Sequence, residues 1–188
     1  MLSTIILAEA EERRIVATLA SLVPASAAGL VSDVCLVARP PAETIARVAD
    51  VAGCNVLIAE GPNGALLRQA AKAARTDWLM FLRAGAILEG GWIDETAQFM
   101  EAASLAPKAR AALFRYARSP HSDVRMRDAF KAARRLLLGP SADQGLLIAR
   151  AHYESLGGHP PIERADAKLL SRLRRHDRIL LRSRIVAA

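Results

Sequence analysis

The sequence is poor in aromatic residues: Phe, Trp and Tyr make up 4% of its 188 positions. Proteins that bind single-stranded nucleic acid need ring faces on which bases stack. Their scarcity argues against that class despite the net charge of +7. Cysteine is almost absent. Cys35 and Cys54 stand 19 residues apart, with neither CxxC nor zinc-ligand spacing. Both are expected as buried free thiols. The four histidines, His121, His152, His159 and His176, also lack metal-ligand spacing. "SPHSD" holds Ser119, His121 and Asp123 too close together in one loop for a triad. No apolar run approaches the roughly 18 residues that span a bilayer. "MLSTIILAEAEERR" lacks the basic front and small-residue cleavage site of a secretory signal. It reads as a first core strand in a cytoplasmic protein.

What is present is a core. Residues of apolar type make up 52% of the chain, enough for one well-buried domain over 1–188. The charge is unevenly placed. Residues 1–107 carry a net charge of −4 and residues 136–163 carry −2. Residues 108–135 carry +7 and residues 164–188 carry +6. Basic character is thus confined to two segments of the second half, where it attracts phosphates or anionic lipid.

The hydrophobic pattern alternates short apolar runs with helical periodicity. "STIILA" is a strand, and the helix after it, with Ile15, Val16, Leu19 and Leu22 on one face, ends at Pro24. "DVCLVA" is a second strand, followed by the helix "AETIARVADVAG" stopped by Gly53. "NVLIAE" and "DWLMFL" are the third and fourth strands, with the helix "ALLRQAAKAART" between them. This rhythm predicts βαβ units and a mainly parallel sheet, an α/β three-layer sandwich. Right-handed crossovers put the ends of the first, second and fourth strands in one crevice. Beyond "GAILEGGW", the helix "IDETAQFMEAAS" and strands in "ARAALFRYA" and "DQGLLIAR" follow. "RADAKLLSRLRRH" reads as a final helix and "RILLRSRIV" as a last strand or tail. "VRMRDAFKAARRLLL" and "LLSRLRRHDRILLRSR" read as basic amphipathic segments, suited to packing on a sheet or to an anionic membrane surface.

Four segments in order, "EERRIVATLASL", "GPNGALLRQAAKAARTDWLMFLRAGAILEGGW", "PSADQGLLIARAHYESLGGHPPI" and "ADAKLLSRLRR", make the chain resemble the bacterial family 2 glycosyltransferases over nearly its whole length. The resemblance implies a GT-A fold, with residues 1–100 as the nucleotide-binding half and 101–188 as the acceptor-side half. It implies transfer of a sugar from a nucleotide-sugar donor to a hydroxyl acceptor. By resemblance Asp166 is the catalytic base, Asp143 and Gln144 match an acceptor-side Asp-Gln-Gly motif, and Arg68 lines the nucleotide pocket. A placed carboxylate can take the proton that an attacking alcohol sheds. Asp166 equally suits the N-cap of the helix that follows it.

The departures are as informative. The family's base-gripping aspartate at the end of the second strand is replaced by Ala38, Arg39, Pro40 and Pro41. The family holds Mn²⁺ or Mg²⁺ with carboxylates at the end of the fourth strand, where this chain has Arg83, Ala84 and Gly85. A divalent metal is therefore implied by the resemblance, while its ligands are missing. Arg83 can stand in by clamping phosphate oxygens. Two readings follow: a transferase that works without the usual metal motif, or a catalytically silent relative that binds a partner protein or a membrane surface. Nucleic acid is not an expected partner. A nucleotide-sugar donor, an anionic membrane at the inner face of the cell, and a second copy of the chain are the partners to test.

Overall fold

The computed structural model describes residues 1–9, 11–117 and 142–187. These form one eight-stranded sheet with helices on both faces, the three-layer α/β arrangement expected. The first half is built of parallel crossovers. Strand β1 (Leu2–Leu7) leads into helix α1 (Glu12–Ala27), then β2 (Val31–Ala38), α2 (Glu43–Ala52) and β3 (Asn55–Ile58). Helix α3 (Asn63–Ala73) returns the chain to β4 (Trp78–Arg83), on the other side of β1. All these pairings are parallel. The second half comprises β5 (Ala86–Leu88), α4 (Trp92–Leu105), β6 (Ala111–Ala117) and β7 (Leu146–Ala149). The helices α5 (Arg150–Ser155) and α6 (Ala165–Arg172) and the strand β8 (Arg178–Ala187) complete it. The strand order is β3-β2-β1-β4-β7-β6-β8-β5. Antiparallel pairs β4/β7, β6/β7 and β5/β8 join a mostly parallel sheet.

Strand β1 shows why this sequence makes a central strand. All six of its residues are buried. Successive side chains point to opposite faces. Leu2 and Ile6 join one core with Ile15, Leu22, Trp92, Met100 and Phe114, beneath α1 and α4. Ile5 and Leu7 join the other with Leu66, Leu67, Leu169 and Leu170, beneath α3 and α6. Each fully buried Leu or Ile contributes roughly 1.5–3 kcal/mol relative to an exposed one.

Several expectations change. Pro24 lies inside α1, which runs on to Ala27. A proline near a helix end forfeits one backbone bond without interrupting a longer helix, so the last turn survives. Strand β5 was not foreseen; three residues are too few to show a period. The second basic segment is a helix and then a strand, as "RADAKLLSRLRRH" and "RILLRSRIV" suggest, with the helix shorter than that pattern. It breaks after Arg172, makes a 3₁₀ turn at Arg175–Asp177, and continues as β8. Arg178 donates to the carbonyl of Leu173 and fixes that corner. Cys35 and Cys54 are free thiols but only half-buried. Burial, with the charge of Asp33 nearby, still pushes the Cys35 thiol up to about 11. The first basic helix, read over 124–138, and the "SPHSD" loop lie outside the described residues.

Candidate functional site

In a sheet of this order the chain leaves β1 toward β2 on one side and reaches β4 on the other. The crevice at such a switch point, beyond the carboxyl ends of the strands, is where ligands bind in open α/β sheets. A cleft of about 280 Å³ lies there, lined by Leu7, Glu9, Arg14, Arg83, Gly85 and Asp143, among others. The antiparallel strands complete its wall. Because β7 runs against β4, pairing Leu146 with Phe81, the turn before β7 lands beside the end of β4. That turn, Ala142–Gln144, carries Asp143. Tyr116 near the end of β6 and Val186 near the end of β8 reach the same cleft.

Gly85 allows the helix to close on this corner. Its φ is +94°, and a Cβ there would lie 2.7 Å from the guanidinium of Arg14. Its N–H donates to the Arg14 carbonyl at 3.1 Å and to Thr18 Oγ1 at 2.8 Å. The loop after β4 is thereby fastened to α1, and Arg14 is held against the cleft.

Behind this wall stands a second, smaller space of about 20 Å³, lined by Phe81, Arg83, Gly145, His159 and Asp166 among others. That is room for about one water. Arg83 lines both spaces. Its Nη2 donates to Asp166 Oδ2 at 2.6 Å. Its Nε is buried without a partner among the described residues. The other oxygen of Asp166, Oδ1, lies 3.2 Å from His159 Nε2. His159 is fully buried, and its Nδ1 lies 3.0 Å from the Tyr153 hydroxyl. The backbone N–H of His159 also donates to that hydroxyl, at 3.0 Å. Phe81 stacks on Tyr153 with centroids 5.2 Å apart and meets His159 edge-on at 4.7 Å.

Two protonation states of the imidazole satisfy these contacts, and in both Nε2 donates to Asp166. On a neutral ring the Tyr153 hydroxyl accepts from the His159 backbone and gives its own hydrogen to Nδ1; on a charged ring that hydroxyl accepts from Nδ1 as well. A hydrogen on Nδ1 alone would instead aim an imidazole lone pair at a carboxylate. Burial pushes the Asp166 carboxyl up, but the His159 hydrogen bond and charge, with the Arg83 guanidinium, outweigh it and hold the group below the usual carboxylate range. Asp166 is therefore ionised at neutral pH. It does not cap α6: Arg164 occupies the cap position, and the Asp166 oxygens are engaged by Arg83 and His159.

Arg68 sits elsewhere. From α3 its Nε donates to the His159 carbonyl at 2.8 Å and its Nη2 to that of Gly157 at 2.9 Å. It props the loop that holds His159, and lines neither space. Gln144 donates to the Phe114 carbonyl at 3.1 Å, tying the turn to β6. Thus Arg83 and Asp166 come together, Asp143 shares the cleft with Arg83, and Arg68 and Gln144 support from behind.

A second cluster occupies the end of β2. Arg39 Nη2 meets Glu9 and donates to Asn63 Oδ1 at 2.8 Å. The same guanidinium reaches both oxygens of Glu163, at 3.2 and 3.3 Å. Asn63 Nδ2 donates back to Glu9 at 3.0 Å. Sequence reasoning noted Arg39 only as a departure, and missed Glu9, Arg14, Tyr153 and His159 as site residues. The search for metal spacing cannot see a histidine whose partners are a tyrosine and an aspartate. The one signal was position: His159 follows Gly157–Gly158 and stands seven residues before Asp166.

Divalent ions need hard oxygen ligands. The end of β4 offers no side-chain oxygen from Arg83, Ala84 or Gly85, and the guanidiniums of Arg14 and Arg83 line the cleft there beside Glu9 and Asp143. Among the described residues no three His, Cys, Asp or Glu side chains converge as a metal site. The side chains at this strand end do not fit such an ion. Among the described residues no helix is long and apolar enough to cross a membrane.

No family model and no curated protein sequence matches this chain. Solved structures do. A fragment of Staphylococcus aureus TarS, residues 1–349, superposes on all of it with a TM-score of 0.71 at 15% identity. Glucosyl-3-phosphoglycerate synthase from Mycobacterium tuberculosis, solved with Mn²⁺, UDP and glucosyl-3-phosphoglycerate, gives 0.65 at 16% identity over the whole chain. The mannosyltransferase PcManGT from Pyrobaculum calidifontis, solved with GDP-mannose and Mn²⁺, gives 0.66 at 15%. The chain spans 60%, 70% and 56% of those proteins, respectively. The fold is that of the GT-A glycosyltransferases.

Proposed function

We propose that this protein handles a diphosphate-linked sugar donor in the cleft between β1 and β4, and transfers the sugar to a hydroxyl acceptor without the usual metal motif. What supports the reading most is one observation: an ionised carboxylate, Asp166, stands against a half-exposed arginine, Arg83, at the strand end where this fold binds ligands. In the reaction, the bond between the anomeric carbon and the diphosphate oxygen breaks as the acceptor oxygen attacks. The acceptor proton goes to Asp166. Negative charge gathers on the departing diphosphate, and Arg83 and Arg14 neutralise it. Asp143, on the cleft wall, would orient the acceptor, with Gln144 holding its turn against β6. Arg68 would serve the donor indirectly, by fixing the loop under Asp166.

A second reading rests on the Arg39 cluster. Arg39, Glu9, Asn63 and Glu163 close on one another at the end of β2, where the family resemblance puts the nucleobase. A chain so arranged could keep the fold as a non-catalytic binding module, at a partner protein or an anionic membrane.

Thermal shift separates the two. The protein is melted against nucleoside diphosphates and nucleotide sugars, with and without Mn²⁺. A ligand that binds only the folded state raises the melting temperature. A rise without Mn²⁺ that disappears in Arg83→Ala, together with release of nucleoside diphosphate in the presence of acceptor alcohols, is the expected result. No rise at millimolar ligand would overturn the transferase reading and leave the binding module.

A further inference from the structure

Arg83 and Leu7 stand between two spaces, and of the two only Arg83 is charged. On one side is the open cleft, with Arg14, Glu9 and Asp143; on the other is the 20 Å³ chamber that holds Asp166 and His159. The Arg83 guanidinium cannot serve both sides fully. At rest one nitrogen binds Asp166, while Nε has no partner among the described residues. A diphosphate in the cleft would offer a guanidinium more oxygen, in bidentate geometry, than the single contact it makes now. Asp166 would not be set loose by that exchange, because its other oxygen is held by His159, which is itself held twice by Tyr153.

We propose that Arg83 is an anion-operated gate: an oxyanion of the diphosphate class, taken up in the cleft, draws Arg83 off Asp166, joins the two spaces, and leaves the carboxylate aimed by His159 and Tyr153 as positioning residues. The proposal rests on the donor-binding reading above and adds when the base becomes competent. While Arg83 is bound, Asp166 is too well satisfied to take a proton readily. Once Arg83 moves to phosphate, the carboxylate loses one of the two groups that depress its proton affinity. The groups facing it are then His159 from the loop after α5 and, through His159, Tyr153 from α5. Arg68 from α3 stays committed to the carbonyls of Gly157 and His159. No proton is accepted before the leaving group's charge has a partner.

The test is a titration of the Asp166 carboxyl carbon by NMR, with ¹³C-labelled aspartate and Asp166→Asn to assign the signal. Inorganic pyrophosphate is the probe. Without it, Asp166 titrates below the ordinary carboxylate range. Saturating pyrophosphate is expected to move the midpoint up, while the Nε2 hydrogen of His159 stays protected from exchange. Arg83→Gln is expected to start from the raised midpoint and not to respond. UDP and geranyl diphosphate, run in the same way, tell a nucleotide from a lipid-linked source of the diphosphate. A midpoint that none of the three moves would overturn the gate, as would a full response in Arg83→Gln or loss of the His159 hydrogen on binding. No sugar is present in this titration. A gate that works in a protein that turns over no donor would sink the transferase reading alone. Turnover with an unmoved midpoint would sink the gate alone.

Discussion

Two arginines stand at the ends of the strands that flank β1, each paired with acid, and they do different things. Arg39 closes β2 with Glu9, Asn63 and Glu163, and its partners' charges are open to solvent: the Glu163 side chain is 57% exposed. Arg83 closes β4 against Asp166, whose side chain is 16% exposed. Water and salt screen the first cluster, so its ion pairs contribute little to stability. The second lies where charge is poorly screened, and there the arginine joins His159 in keeping a buried carboxylate ionised. Burial, more than the type of contact, separates a surface tie from a chemical device.

The change expected to break both clusters at once is Gly64→Ala. Gly64 follows Asn63 in α3, and a Cβ there would sit 1.8 Å from the Pro160 carbonyl oxygen and 2.5 Å from Ala165 Cβ. Overpacking against backbone costs typically 1–3 kcal/mol, and this site belongs at about the upper end. Chemical denaturation should show the loss, with Asp166 displaced along with Ala165.

Asp166→Asn isolates the inner cluster. Turnover, measured as nucleotide release, should fall by about 100-fold or more, the usual contribution of a general base. Stability supplies a sign. The folded-state pKa of Asp166 is depressed, so its contribution is present above the unfolded pKa of about 3.9 and is lost as pH falls through the folded value. The stability gap between the parent and Asp166→Asn should thus be open at neutral pH and close in acid below about pH 4. A gap that stayed constant from neutral pH into acid would refute the ionised pair.

Arg83→Gln sharpens the contrast with less damage. Its fold should hold, since Arg83 is half-exposed. The thermal shift that pyrophosphate gives the parent should disappear. Arg39→Ala is the smallest change. Its melting curve should coincide with the parent's at moderate salt, and its response to pyrophosphate should be retained. If Arg39→Ala lost that response and Arg83→Gln kept it, the roles assigned to the two arginines would be reversed.

The first half of the fold was legible because each of its strands is a short apolar run followed by a helix of clear period. Leu2–Leu7 and Trp78–Arg83 differ from their predicted bounds by a residue or so. The second half was less so. Strand β5 is three residues long, and β8 draws its burial from partners far away in sequence. The strand itself was still readable, since "RILLRSRIV" over 178–186 matches the observed Arg178–Ala187. At the site, Asp166 could be named because the family resemblance puts a catalytic aspartate there, and Arg83 because it stands at a strand end where the family has carboxylates. Their contact could not, since 83 positions separate them and the tertiary packing of α6, against α3, the Ala142–Gln144 turn and the core, brings them together. His159 was invisible for a related reason: its role lies in what it touches, and sequence spacing records ligand sets better than single partners.

The strand β8 sets an order of assembly. It enters the sheet between β6 and β5, and among the described residues β5 pairs with nothing else. Ile87 must therefore wait for Val186, close to a hundred residues further along the chain. Contacts so distant in sequence close slowly, because a long loop must be ordered before they form. During synthesis the β1–β4 crossovers can be complete on the ribosome while the cleft still lacks Val186. A nascent chain of this protein would carry Arg14 and Arg83 on their elements before Asp166 and Val186, the later partners of that corner, have been made.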